Sequence, residues 1–168
     1  REVGDYTPSY MYFLYFISLF RFEPDSLEVV HAIKCISIFF DFVSAVFIYF
    51  ISRKITKNDY ISIACAGVFL FIPTIFLNGC FWGQCDSIYV SFIIISIYLL
   101  LCDHQRLSFI FLGLAFSFKL QTIFIFPLYI LMYLNGKVKF RYFIYVPIVY
   151  ILMGVPAMIC GRSFTSIM

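Results

Sequence analysis

Charge is what this sequence has least of. Asp, Glu, Lys and Arg make up 12% of its 168 residues, against 63% hydrophobic and 22% aromatic. A soluble domain carries about 25% charged and roughly 45–50% apolar residues. Half the usual charge cannot coat a water-soluble globule of this size. That excludes a cytosolic enzyme, a nucleic-acid binder and a disordered segment. A net charge of +3, from 12 Lys and Arg against 9 Asp and Glu, is too small and too scattered for a polyanion-binding face. The signature of a zinc site is missing as well. Cys35, Cys65, Cys80, Cys85, Cys102 and Cys160 form no CxxC and pair with no His at zinc spacing. Most of them sit in apolar runs, where a thiol behaves as a small hydrophobe. Cys80 and Cys85 flank one loop and could bridge in an oxidising compartment, but the loop is short and a fold of this size does not need the bridge.

Long apolar runs are what the sequence has. A membrane helix needs about 20 mostly apolar residues. The runs predict an all-α, polytopic transmembrane bundle with spans at about 31–51, 60–77, 86–101, 107–118, 120–134 and 142–160. Residues 1–28 are expected outside the membrane, with a short interfacial helix in the Tyr- and Phe-rich segment Ser9–Phe20. The stretch Leu107–Leu134 is 28 residues long and interrupted by Lys119 and Gln121, so it reads as one long tilted helix or two short passes. Basic residues collect on the cytoplasmic side of membrane proteins. Two passes put Arg53, Lys54, Lys57, Arg106, Lys137, Lys139 and Arg141 inside and Arg1, Arg21 and Arg162 outside, seven against three; one pass gives five against five. Two passes are expected, breaking near Ser117-Phe118-Lys119, with the break buried in protein or lining a wet cavity. The sequence begins Arg1-Glu2-Val3 and stops soon after an apolar run. It is therefore expected to be a piece of a longer chain, inactive by itself.

The two-pass topology gathers the polar chemistry on the non-cytoplasmic side. The loop there contains Asn78-Gly79, a turn pair with a helix-ending Gly, then Trp82-Gly-Gln84-Cys-Asp86. Asp86 stands where a carboxylate caps a helix. Trp82 and Gln84 beside it also make a sugar-binding surface, a flat apolar face next to hydrogen-bonding groups. Interfacial anchoring is the plain alternative for Trp82. Lys119 lies at membrane depth, where a charge is costly and marks a functional site by default. It is expected to meet a carboxylate such as Asp86 or a phosphate, unless it snorkels from a helix end. Gln121 shares its neighbourhood.

His31, Lys34 and Asp41 fall on one helical stripe and are read as structural, each meeting a group on another helix. In Gly4-Asp5-Tyr6-Thr7-Pro8, Asp5 either caps a helix opened by Pro8 or serves as a general base that activates a hydroxyl, with Tyr6 beside it as a substrate contact. Glu23, Asp25 and Glu28 around Pro24 read as a solvated helix start.

These strings resemble integral-membrane glycosyltransferases of the GT-C type, above all bacterial mannosyltransferases related to the second mannosyltransferase of GPI-anchor assembly. The resemblance rests on Gly4-Asp-Tyr-Thr-Pro8, Lys34, Phe40-Asp41, Trp82-Gly-Gln-Cys-Asp-Ser-Ile-Tyr89, Gly113-Leu-Ala-Phe-Ser-Phe-Lys-Leu-Gln121 and Pro127. It implies a multi-span fold, a polyprenyl- or dolichyl-phosphate sugar donor, a glycan or lipid acceptor, and transfer on the outer face of a bacterial plasma membrane. On that reading Asp5, Asp86 and Lys119 are the catalytic candidates, and Trp82, Gln84, Gln121 and Tyr6 bind substrate. Family members carry an acidic residue in the first large external loop; this sequence begins late in or after that loop, so the main carboxylate is expected upstream of Arg1. Carboxylate ligands would suit Mg2+ or Mn2+, and nothing in the sequence demands either. A membrane transporter or lipid flippase is the competing class, because it too places charges on broken helices.

Overall fold

The computed structural model describes residues 7–19, 27–84 and 86–159, and among them it is all-helical. Asp5 and Tyr6 lie outside the described residues. The elements are α1 (Pro8–Ser18), α2 (Leu27–Thr56), α3 (Asp59–Leu70), α4 (Pro73–Phe76) continued by a π-helical segment (Leu77–Trp82), α5 (Asp86–Leu101), α6 (Gln105–Phe118), a 3-10 segment (Leu120–Ile125) leading into α7 (Phe126–Leu134), and a second 3-10 segment (Phe140–Ile144) leading into α8 (Tyr145–Ile159). By length and composition, Leu27–Thr56 and Phe140–Ile159 suffice to cross a membrane, and α3 with Pro73–Trp82 makes a third candidate.

The helix ends follow from local chemistry. Pro8 opens α1, where its missing N–H is no loss. The α2–α3 turn is held by the Asn58 side chain, which accepts from the N–H groups of Tyr60 (2.9 Å) and Ile61 (3.3 Å). Arg53 in the last turn of α2 reaches Asp59 in the first turn of α3 at 2.8 Å. The run 60–77, read from sequence as one span, is bent by 51° between α3 and Pro73–Trp82. Pro73 cannot donate to the preceding turn and its ring crowds the carbonyl four residues back. Ile72 before it is accordingly extended, at φ −60° and ψ 125°. Asn78-Gly79 does not end this helix, contrary to the sequence expectation. The chain continues through a wide π turn to Gly83, which takes the left-handed conformation (φ 58°, ψ 37°) that favours glycine. Gly79 stays inside the turn because its bare Cα lies against the Asp41 carboxylate, where a Cβ has no room.

α5 and α6 form an antiparallel hairpin. α5 lies between α2 and α6, and α6 also packs on α8. Gly113 permits the α6–α8 approach: a Cβ there would stand 2.8 Å from Cβ of Val149. α6 stops at Phe118, and Lys119 leaves the helix in an extended conformation (φ −152°, ψ 123°). The chain then returns through α7. The side chain of Gln105, at the start of α6, closes the hairpin by donating to the Lys137 carbonyl (2.9 Å) and accepting from the Lys139 N–H (3.3 Å). Inside it, Ser96, Ser108 and Tyr129 satisfy one another. The Ser96 hydroxyl donates to the Ser108 carbonyl (2.5 Å), Ser108 to the Ser96 carbonyl (2.8 Å), and the Tyr129 hydroxyl approaches Ser96 Oγ at 2.5 Å. All three are fully buried.

Two ends result. One gathers the α2–α3 turn, residues 102–106 and residues 135–142. It holds Arg53, Lys54, Lys57, Arg106, Lys137, Lys139 and Arg141. Lys54 reaches Cys102 across it at 3.4 Å. The opposite end gathers the start of α2, the π-helical segment, the start of α5 and the break at Lys119. α1 lies against this end: the Thr7 hydroxyl donates to the Phe118 carbonyl at 2.8 Å and Tyr12 to the Met153 carbonyl at 2.5 Å.

Candidate functional site

The start of α5 and the break after α6 bring two opposite charges together from 33 residues apart. Lys119 Nζ donates to Asp86 Oδ1 in an ion pair whose side chains are 29% and 24% exposed. The helix break is what presents Lys119: its extended backbone turns the side chain out of the α6 ladder and toward α5. The Tyr89 ring, one turn after Asp86, lies under the same ammonium, with Nζ 5.5 Å from the ring centroid. An aromatic face and a carboxylate together hold this cation. Tyr89 is a site residue that the sequence reading passed over. Its signal was the i, i+3 spacing from Asp86.

The next residue faces the other way. The Ser87 hydroxyl and the Asp41 carboxylate both lie against Gly79. Asp41 is buried on α2, with Gly79 packed against it. Above it, the Ser37 hydroxyl donates to the Gln84 carbonyl at 2.9 Å. Ser37 and Asp41 therefore fix the π-helical segment on α2. Asp41 meets a group on another helix, while His31 is exposed at the start of the stripe.

Lys34 differs from both. Among the described residues no carboxylate or hydrogen-bond acceptor pairs with its ammonium. It lines a groove of about 320 Å³ between α1 and α2, together with Leu14, Val30, Ile33 and the indole of Trp82. Trp82, 65% exposed, shares this groove with Lys34. Gln84 and Gln121 are exposed at the same end. Tyr10 joins the two parts, lining the groove and packing with Ile88 and Phe118 beside the ion pair. Thr122, one turn past Lys119, is buried with its hydroxyl unpaired among the described residues.

The arrangement offers a paired acid and cation at a helix break, a second cation in an apolar groove, and exposed amide and indole groups around them. Cys80, beside the site, is a free thiol. Among the described residues no three His, Cys, Asp or Glu side chains converge to hold a metal ion. Comparison with protein-family models, with curated proteins and with solved structures returns no match.

Proposed function

We propose that this protein is an integral-membrane glycosyltransferase, mannosyltransferase-like, that moves a sugar from a polyprenyl-phosphate donor to a hydroxyl of a glycan or lipid acceptor on the non-cytoplasmic face of a bacterial plasma membrane. The observation that carries this reading is the Asp86–Lys119 ion pair at a helix break, on the end away from the basic loops. An intramembrane ion pair with partial exposure suits a group that must receive a charged ligand.

The reaction needs three things. The acceptor oxygen attacks the anomeric carbon as the bond from that carbon to the phosphate oxygen breaks. A carboxylate takes the acceptor's proton. A cation stabilises the charge that develops on the leaving phosphate. Lys119 supplies the cation. Asp86 positions it in the resting site, and the donor phosphate displaces that carboxylate, leaving Asp86 or Asp5 to take the proton. Trp82, Gln84 and Gln121 line the sugar and acceptor side, and Tyr6 is assigned a substrate contact.

Gene deletion with glycan analysis tests the reading. Loss of one sugar from a lipid-linked or surface glycan is the expected result. The charge swap Asp86→Lys with Lys119→Asp keeps an ion pair, so it should restore protein level in the deletion strain without restoring the glycan. A complete glycan accumulating on the wrong side of the membrane would identify a flippase instead.

A further inference from the structure

The end opposite the ion pair holds a second site that the proposed reaction does not use. We propose that it binds the phosphate headgroup of an anionic phospholipid through Arg106, Lys139 and Tyr142. A cavity of about 440 Å³ opens there between the start of α6 and the segment leading into α8. Pockets that hold small ligands are about 300–1,000 Å³. Arg106, Leu107, Lys139 and Tyr142 line it, with Asp103 as the one carboxylate in its wall. Its two sides are tied by Gln105, which bonds the backbone of both Lys137 and Lys139.

The cations here have more donors than the described residues give them acceptors. Arg141 donates to the Tyr142 hydroxyl at 3.1 Å, and Arg106 lines the cavity together with that tyrosine. Each guanidinium has five N–H donors, and the phenol oxygen takes one of them, from Arg141. The ion pairs among the described residues are Arg53–Asp59 and Lys119–Asp86, and neither lies in this cavity. A phosphate offers the oxygens that two guanidiniums and an ammonium require.

The rim selects a lipid over a free phosphate. Leu107, in the cavity wall, is 44% exposed, and Phe140, between Lys139 and Arg141, is 68% exposed. Cations above outward-facing apolar side chains match a headgroup above its acyl chains. By the positive-inside rule this end faces the cytoplasm, where basic pockets between helices meet anionic lipid.

The test uses the full chain in detergent, with unfolding temperature as the readout, and does not depend on glycosyl transfer. Phosphatidylglycerol should raise that temperature saturably, while phosphatidylcholine and inorganic phosphate at equal concentration should not. Arg106→Gln with Lys139→Gln should weaken the apparent affinity about tenfold or more, since each basic residue near an anionic surface contributes about 1 kcal/mol. Tyr142→Phe keeps every charge and should weaken it about threefold by releasing the Arg141 guanidinium. Lys54→Gln with Lys57→Gln, equal in charge removed, should leave it within about twofold. Equal weakening by the two double variants would overturn the proposal in favour of diffuse attraction. A full response to inorganic phosphate or to phosphatidylcholine would overturn the choice of lipid. If the Arg106/Lys139 variant does not fold, an unchanged affinity in Tyr142→Phe overturns it.

Discussion

Tyr129 and Thr122 are buried hydroxyls on the same returning limb, and removing them should have opposite consequences. Tyr129 completes the Ser96–Ser108 network, so its hydroxyl proton has an acceptor. Tyr129→Phe should lower stability by about 0.5–1.5 kcal/mol, the range for a buried hydrogen bond in water and in membranes. Thr122 Oγ1 has no partner among the described residues. Thr122→Val is nearly isosteric, so it should be neutral or stabilise by up to about 1 kcal/mol, because an unpaired buried hydroxyl is a cost. Denaturant unfolding in detergent reads both. A Thr122→Val loss equal to that of Tyr129→Phe would mean that the threonine has a partner. Lys119 was legible in the sequence because a charge at membrane depth is expensive. Asp86 was one of two partners the sequence left open, since the fold alone joins residues 33 apart. Lys34 was read as a structural contact. Its place in a groove with Trp82 depends on α1 and the π turn, which no local pattern announces.

The close approach of α6 and α8 depends on Gly113. A Cβ there meets Val149 Cβ at 2.8 Å and the Val146 carbonyl oxygen at 3.2 Å. Gly113→Ala should therefore cost about 1–3 kcal/mol through overpacking. Gly67 on α3 has nothing within 4 Å of the corresponding position. Gly67→Ala should instead stabilise by about 0.5–1 kcal/mol, the usual gain of removing a helical glycine. Unfolding of the two variants side by side checks the pair, and a similar effect at both positions would remove the packing argument. The helical character of the elements was legible from the length of the apolar runs. The bend at Pro73 was not, because one proline hardly alters the hydropathy of an 18-residue run. The π turn was hidden for a related reason: Asn78-Gly79 reads as a stop, and only the Asp41 carboxylate beneath it shows why a glycine is needed there.

The whole molecule sorts its charge by end. Seven basic residues gather at one end, while Glu28, Lys34, Asp86 and Lys119 lie at the other. Single cysteines at 119 and 137, placed in a background without the six native cysteines, should respond oppositely to an impermeant thiol reagent added from outside. Position 119 should react and position 137 should not. The reverse pattern would invert the molecule in the membrane and put the ion pair where the proposed lipid-linked donor is absent. The gathering of the seven basic residues at one end was legible in the spacing of the arginines and lysines. The cavity at the basic end was not, because it needs α6 and the segment before α8 clamped by Gln105.

The most direct test is transfer itself. Membranes containing the full-length protein are incubated with radiolabelled polyprenyl-phosphate mannose, and label is followed into the acceptor. Lys119→Ala and Asp86→Asn, at matched protein level, should each reduce the initial rate about 100-fold or more, the scale for losing one preorganised charge at a transition state. Rates in both variants equal to that of the unaltered protein would contradict the account.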